Sequence, residues 1–196
     1  MKSKLMLLAV LGMAATNVAF AEGNTTCPAV QQAEMDGEFG AGTSAITACN
    51  VHRHHIRVAL SMGSGVTNPK QVGVNQVLVN AANMVKNYQD FYGLTAGEEG
   101  YQIAIVGHFQ GGKSLLNDPS YNRLILGSPD GTGPGNPSGP MVQKLMAQGV
   151  RFIMCQNTMR GSGWKTSDLI PGVTEAPAGV AALTDFGMSG WVVLTP

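Results

Sequence analysis

The stretch "VRFIMCQNTMRGSGW", residues 150–164, ends an apolar run on Cys155 and follows it at once with a polar, glycine-bearing turn. A cysteine reacts as its thiolate, so what surrounds the sulfur decides whether it does chemistry. "QNTMRG" reads as the start of a helix, with Asn157 or Thr158 as its cap. A helix start beside the thiol, with Arg160 and Lys165 near it, would favour the thiolate by dipole and by charge. A nucleophilic or sulfur-carrying cysteine requires that setting. On residue type alone the plainer reading is ahead, because a free cysteine closing a buried strand commonly serves as a small apolar filler.

A second cluster is "CNVHRHH", which places Cys49, His52, His54 and His55 within seven residues. Thiolate and imidazole ligands this close suit copper or zinc. On an extended segment His52 and His54 share one face and His55 points away, so spacing alone does not make them converge. A solvated, polar entry to a strand is the plainer alternative to a metal site at His52 and His54. A disulfide at Cys49 would remove the best ligand.

The third stretch, "GHFQGGKS" at residues 107–114, matches the phosphate-loop pattern G-x-x-x-x-G-K-[ST] and follows an expected strand. Such a loop should open onto a substantial helix whose N-terminus faces the phosphates. Here only "LLN" separates Ser114 from Asp118-Pro119, and no later strand ends on an acid suited to magnesium. A turn after a strand explains the residues better, and neither hydrolase nor NTPase activity is expected.

The elements that must position these residues alternate from about residue 56 onward. "IRVALSM", "YQIAIVG" and "VRFIMC" read as buried strands, and "WVVLT" as a last strand. Between the first two, Val72 to Tyr92 carries apolar residues at helical spacing, with Gly93 as a stop. "PMVQKLMAQG" is a helix with Pro140 at its start and Gly149 just past its end, and "PAGVAALTDFGMSG" repeats that syntax. Strands separated by helices imply a parallel sheet covered on both faces, a three-layer α/β/α arrangement. Residues 126–140, "LGSPDGTGPGNPSGP", read as a long surface loop. Residues 22–54 form an arm with no readable element, ahead of one domain from 55 to 196.

The chain opens "MKSKLMLLAVLGMAATNVAFAEG". Lys2 and Lys4, an apolar run too short to span a bilayer, and Ala19-Phe20-Ala21 have the layout of a cleaved secretory leader covering residues 1–21. Its removal leaves 175 residues with 10 basic and 12 acidic side chains, a balance that suggests neither nucleic acid nor an anionic membrane surface as partner. The expected protein is soluble and periplasmic or secreted. Disulfides are permitted there. Pairing Cys27 with Cys49 is one hypothesis; it would leave Cys155 as the free thiol.

The C-terminal half resembles the DsrE/DsrF-like (DsrE/TusD sulfur-relay) family. The matching pieces are "MVQKLMAQGVRFIMCQNTMRGSG" and "DLIPGVTEAPAGVAALTDFGMSGW", a helix, a glycine turn, a strand ending in cysteine, a short helix, a Pro-bearing loop and a helix opening on a small residue. "GHFQGGKSLLNDPSYNRL" is similar to a segment of the family's exported branch. The resemblance covers roughly residues 55–196 and implies a mostly parallel sheet of about five strands. It further implies that Cys155 carries sulfane sulfur as a persulfide, passing it to or from a partner thiol protein without a metal or organic cofactor. His108 would share the pocket as proton acceptor or hydrogen-bond donor, and small subunits of this kind form homo- or hetero-oligomers, a homo-oligomer being the expectation here. The family's relay members are cytoplasmic, whereas this chain begins with a leader. A different class of function, a non-catalytic binding module using the histidine arm for a transition metal, stands beside the carrier reading.

Overall fold

The computed structural model of the chain describes residues 29–43 and 55–196. Five strands form one all-parallel sheet: β1 (Ile56–Met62), β2 (Tyr101–Gly107), β3 (Arg151–Cys155), β4 (Thr174–Ala176) and β5 (Val192–Leu194), in the spatial order β4-β3-β2-β1-β5. Among the described residues six α-helices accompany it: α1 (Ala29–Phe39), α2 (Gln76–Lys86), α3 (Asp118–Leu124), α4 (Gly139–Ala147), α5 (Gln156–Ser162) and α6 (Gly179–Met188). The three-layer α/β/α architecture expected from the alternating pattern is the one found.

The sheet's two faces follow from the strand period of two. Val58, Leu60 and Met62 of β1, Ile103 and Ile105 of β2, and Phe152 and Met154 of β3 join one large core. Val77, Leu78, Ala81 and Val85 of α2 and Val142 and Leu145 of α4 cover that face. The alternate residues, Ala59, Val106 and Ile153, meet Leu183 and Phe186 of α6 in a much smaller core. Cover is therefore unequal. Arg151, at the start of β3, lays its guanidinium over the rings of Phe186 and Trp191, with ring centroids 5.7 and 5.0 Å away.

Register places the chemistry. Gly107 pairs with Met62 on one side and Met154 on the other. The next residue of each strand or its continuation, Gly63, His108 and Cys155, therefore stands in one row at the carboxyl edge of the sheet. That edge is where open α/β sheets bind ligands.

Several elements differ from the sequence expectation, each for a local reason. The helix expected over Val72 to Tyr92 starts only at Gln76, because the Asn75 side chain accepts from the Val77 N–H, and its last turn, Asn87–Phe91, widens into a π-turn. Asp118-Pro119 starts a helix rather than blocking one: Asn117 Oδ1 accepts from Ser120 N–H at 3.0 Å and the proline occupies the first turn of α3. Residues 126–140 are not wholly a surface loop. Asn136 is 3 % exposed, with Nδ2 donating to the carbonyls of Ser114 at 3.0 Å and Leu116 at 2.7 Å and Oδ1 accepting from Ser138 N–H at 3.0 Å. Part of the arm, Ala29–Phe39, is helical as α1.

Candidate functional site

Cys155 ends β3 and is itself the N-cap of α5, one residue before the helix and ahead of the Asn157 or Thr158 cap expected from sequence. It is 5 % exposed, and it is the free cysteine among the described residues. Its sulfur accepts the Gly179 N–H from the start of α6 at 3.1 Å. Burial pushes the thiol's pKa up, but the donors near the sulfur, the Thr158 N–H, the hydrogen-bonded Gly179 N–H, the Thr158 hydroxyl and the Asn157 N–H, outweigh it and hold it below its ordinary value. The cause is a cluster of donors around one sulfur. α5 has only two turns, so hydrogen bonding rather than a long helix dipole carries the effect.

His108, the first residue after β2, is 8 % exposed and hydrogen-bonded through Nε2 to Ser61 Oγ at 2.8 Å. Burial lowers its pKa, so the ring is neutral at pH 7. Its Nδ1 is buried and has no hydrogen-bond partner. If Nε2–H is the donor to Ser61, Nδ1 carries a lone pair within the site. The Cβ atoms of Cys155 and His108 lie 3.1 and 3.2 Å from the point a Cβ on Gly179 would occupy, so the glycine is what lets α6 close over both.

A cavity of about 540 Å³ opens beside these groups, lined by both Cys155 and His108. Its walls include Phe109, Ile125, Trp164 and Val180, and Lys113 is the one Lys or Arg among the lining residues. Phe109 has φ 45°, the left-handed region that costs a non-glycine residue on the order of 1–2 kcal/mol. It is held there with its N–H donated to Thr158 Oγ1 at 2.9 Å, its ring 5.0 Å from that of His108, and its side chain 69 % exposed. Thr158 thus links both: its oxygen accepts from Phe109 and its hydroxyl proton serves the sulfur.

Arg160 stands elsewhere. It is exposed, donates to Asn157 Oδ1 at 2.6 Å, and does not line the cavity. The expected charge support from Arg160 and Lys165 is replaced by hydrogen-bond donors at the sulfur and by Lys113 at the cavity wall. Phe109, Ile125, Trp164 and Val180 were not singled out from sequence. They come from four separate segments, and no local spacing announces them.

The phosphate-loop look-alike folds as a 3₁₀ helix, Phe109–Leu115. Gly111 sits where a Cβ would lie 2.1 Å from the Met62 carbonyl oxygen, and Gly112 where one would lie 2.7 Å from Met154 Cε. These glycines permit close packing of the turn onto β1 and β3. Of the histidine cluster only His55 is described: its Nδ1 lies 2.9 Å from the Glu98 carbonyl oxygen and its Nε2 lies 3.8 Å from Glu99. Cys27, Cys49, His52 and His54 lie outside the described residues. Among the described residues no three His, Cys, Asp or Glu side chains group to hold a metal, and no helix is long and apolar enough to cross a membrane.

No protein-family model matches the chain, and no curated protein matches it significantly. Among solved structures it is similar to a protein of unknown function, MTH1491 from Methanobacterium thermoautotrophicum, at 24% identity and a TM-score of 0.51, over 72% of this chain and 99% of that one. It also aligns with the ychN protein from E. coli at 17% identity and a TM-score of 0.45, over 72% and 99% of the two chains. The first likeness shows a shared fold.

Proposed function

We propose that this protein carries sulfane sulfur on Cys155 as a persulfide, a sulfur-relay role in the manner of DsrE-like proteins. The observation that carries the reading is the set of donors converging on the Cys155 sulfur where it meets the cavity. A thiol used only to fill space gains nothing from a hydrogen bond and neighbouring donors that favour its charged form.

The step is thiol exchange. Cys155 gives up its proton, and the thiolate attacks the outer sulfur of a hydropersulfide R–S–SH. The S–S bond of the donor breaks, R–S⁻ leaves with the electron pair, and the proton lost by Cys155 ends on it. Net, Cys–SH and R–S–SH become Cys–S–SH and R–SH, with no outside oxidant or reductant. His108 Nδ1, neutral and unpartnered, supports a role as the intermediate holder of that proton. Delivery to an acceptor thiol runs the same exchange in the other direction.

The leader-like residues 1–21 support a periplasmic or secreted carrier; N-terminal sequencing of exported protein should begin at Glu22, and retention of Met1 would count against export. The exposed apolar edge strand β5, with Val192 57 % and Leu194 40 % exposed, supports association with a second copy, to be read from the mass in solution.

The carrier reading is tested by treating the protein with inorganic polysulfide, alkylating it and mapping peptides by mass spectrometry. Wild type should gain one sulfur atom at Cys155, and Cys155→Ser should gain none at that position. An unmodified Cys155 peptide in folded wild type would refute the role.

A further inference from the structure

The cavity beside Cys155 is far larger than a sulfur atom requires. At about 540 Å³ it falls within the roughly 300–1,000 Å³ range of small-molecule sites. Its lining pairs aromatic and aliphatic walls, Phe109, Trp164, Ile125 and Val180, with polar side chains at Gln110, Asn157, Thr158 and Ser162, and no carboxylate lines it. The apolar walls add nothing for a hydrated inorganic sulfur anion, whereas an apolar body would gain from them.

Four further observations point to an occupant. Phe109 and Val180 remain 69 and 60 % exposed where they line the cavity, an apolar surface that the described chain leaves uncovered. Phe109 holds its position at the cost of a left-handed backbone, as residues at ligand clamps do. His108, 8 % exposed and in the lining, keeps an unpartnered Nδ1. Lys113 adds one positive charge on the wall, matched to one negative charge on a ligand.

We propose that the cavity binds a low-molecular-weight organic hydropersulfide with an apolar body and a single carboxylate. The body packs against Trp164 and Phe109, the carboxylate pairs with Lys113, and the terminal sulfur meets Cys155. This rests on the reading of Cys155 as a sulfur carrier and adds the class of its small partner. The exchange is the one written above, with R the apolar acid. The Cys155 thiolate takes the terminal sulfur, the donor S–S bond breaks, and the apolar thiol R–SH leaves with the proton.

The test compares three donors on the full chain: the hydropersulfide of 4-(sulfanylmethyl)benzoate, cysteine hydropersulfide and inorganic polysulfide. Loading of Cys155 is followed by mass spectrometry. The aromatic donor should load at least about tenfold faster than cysteine hydropersulfide, the factor that removing one ring from water supplies. Lys113→Gln should abolish the preference for this donor over its carboxamide analogue, and Trp164→Ala should shrink its advantage over cysteine hydropersulfide. A second measurement omits the chemistry: calorimetric titration of Cys155→Ser with the thioether 4-(methylsulfanylmethyl)benzoate, which should bind. Equal loading rates for the three donors would overturn the proposal while leaving the carrier reading intact. Failure of every donor to load would sink the carrier reading, and the thioether titration would then decide the cavity by itself: binding upholds the apolar-acid site and no binding overturns it.

Discussion

The backbone N–H of Gly179 donates to the sulfur of Cys155 across 3.1 Å, joining residues 24 apart in the chain. The same glycine has no side chain at the one place where a Cβ would press on both Cys155 and His108. So the start of α6 lies close enough to hydrogen-bond the thiol because residue 179 is a glycine. The sulfur's surroundings are built by four segments: the ends of β2 and β3, the first turn of α5 and the first turn of α6.

Gly179→Ala tests that packing. Alanine gains up to about 1 kcal/mol of helix propensity, and less at the first residue of a helix. Against this, overpacking typically costs about 1–3 kcal/mol. The new methyl would meet Cβ atoms at 3.1 and 3.2 Å on two strand ends and Val106 Cγ1 at 3.4 Å, and neighbours fixed in a sheet yield little. Overpacking wins. Denaturant unfolding should show a net loss of about 1 kcal/mol, and the Cys155 thiol should titrate at higher pH as the N–H is pushed away.

Thr158→Val should raise the thiol's pKa by removing the hydroxyl donor, whereas Thr158→Ser should restore it. A hydrogen bond to a charged group is worth about 1.5–3 kcal/mol. The higher intrinsic nucleophilicity of a more basic thiolate offsets part of the lost ionised fraction. Alkylation of Cys155 at pH 7 should therefore slow several-fold in Thr158→Val and remain near wild type in Thr158→Ser.

His108 makes stability depend on pH in a definite direction. Burial holds its pKa below the ordinary value of about 6.5, so in mildly acidic solution the unfolded chain binds a proton that the folded chain refuses. Its contribution is fully present above about pH 6.5 and is lost as the pH falls through the folded pKa, by up to about 1.4 kcal/mol per pH unit. Wild-type unfolding free energy should fall on acidification below 6.5, and His108→Gln should flatten that slope.

Asn136→Ala leaves the carbonyls of Ser114 and Leu116 and the N–H of Ser138 without their partner inside the protein. Each buried unmet group costs about 1–3 kcal/mol, so a total near 3 kcal/mol is expected from guanidinium unfolding. The loop 126–140 should become protease-sensitive in that variant.

How much of this was legible beforehand depends on the element. β1, β2 and β3 are interior, covered on both faces, and so are written as continuous apolar runs that no other element explains. β4 reads "TEA", three residues at a sheet edge with no apolar signature to announce a strand. Asp118-Pro119 reads as a break after the short "LLN", yet the Asn-Asp-Pro order is equally a helix start, and α3 begins there. For the site, Cys155 and His108 could be placed at strand ends from their runs alone. The donors around the sulfur could not, since Gly179 reaches it only through the parallel crossover that brings α6 over β3. Phe109's left-handed backbone leaves no mark in the residue's identity.

The central claim is that Cys155 is a reachable and readily ionised thiol in the folded protein. The rate of iodoacetamide labelling of the native chain as a function of pH, read at the Cys155 peptide by mass spectrometry, measures it directly. The expected profile rises with a midpoint below that of an ordinary cysteine, which the unfolded chain supplies as reference. A midpoint at or above that reference, or labelling that appears only after denaturation, would contradict the account.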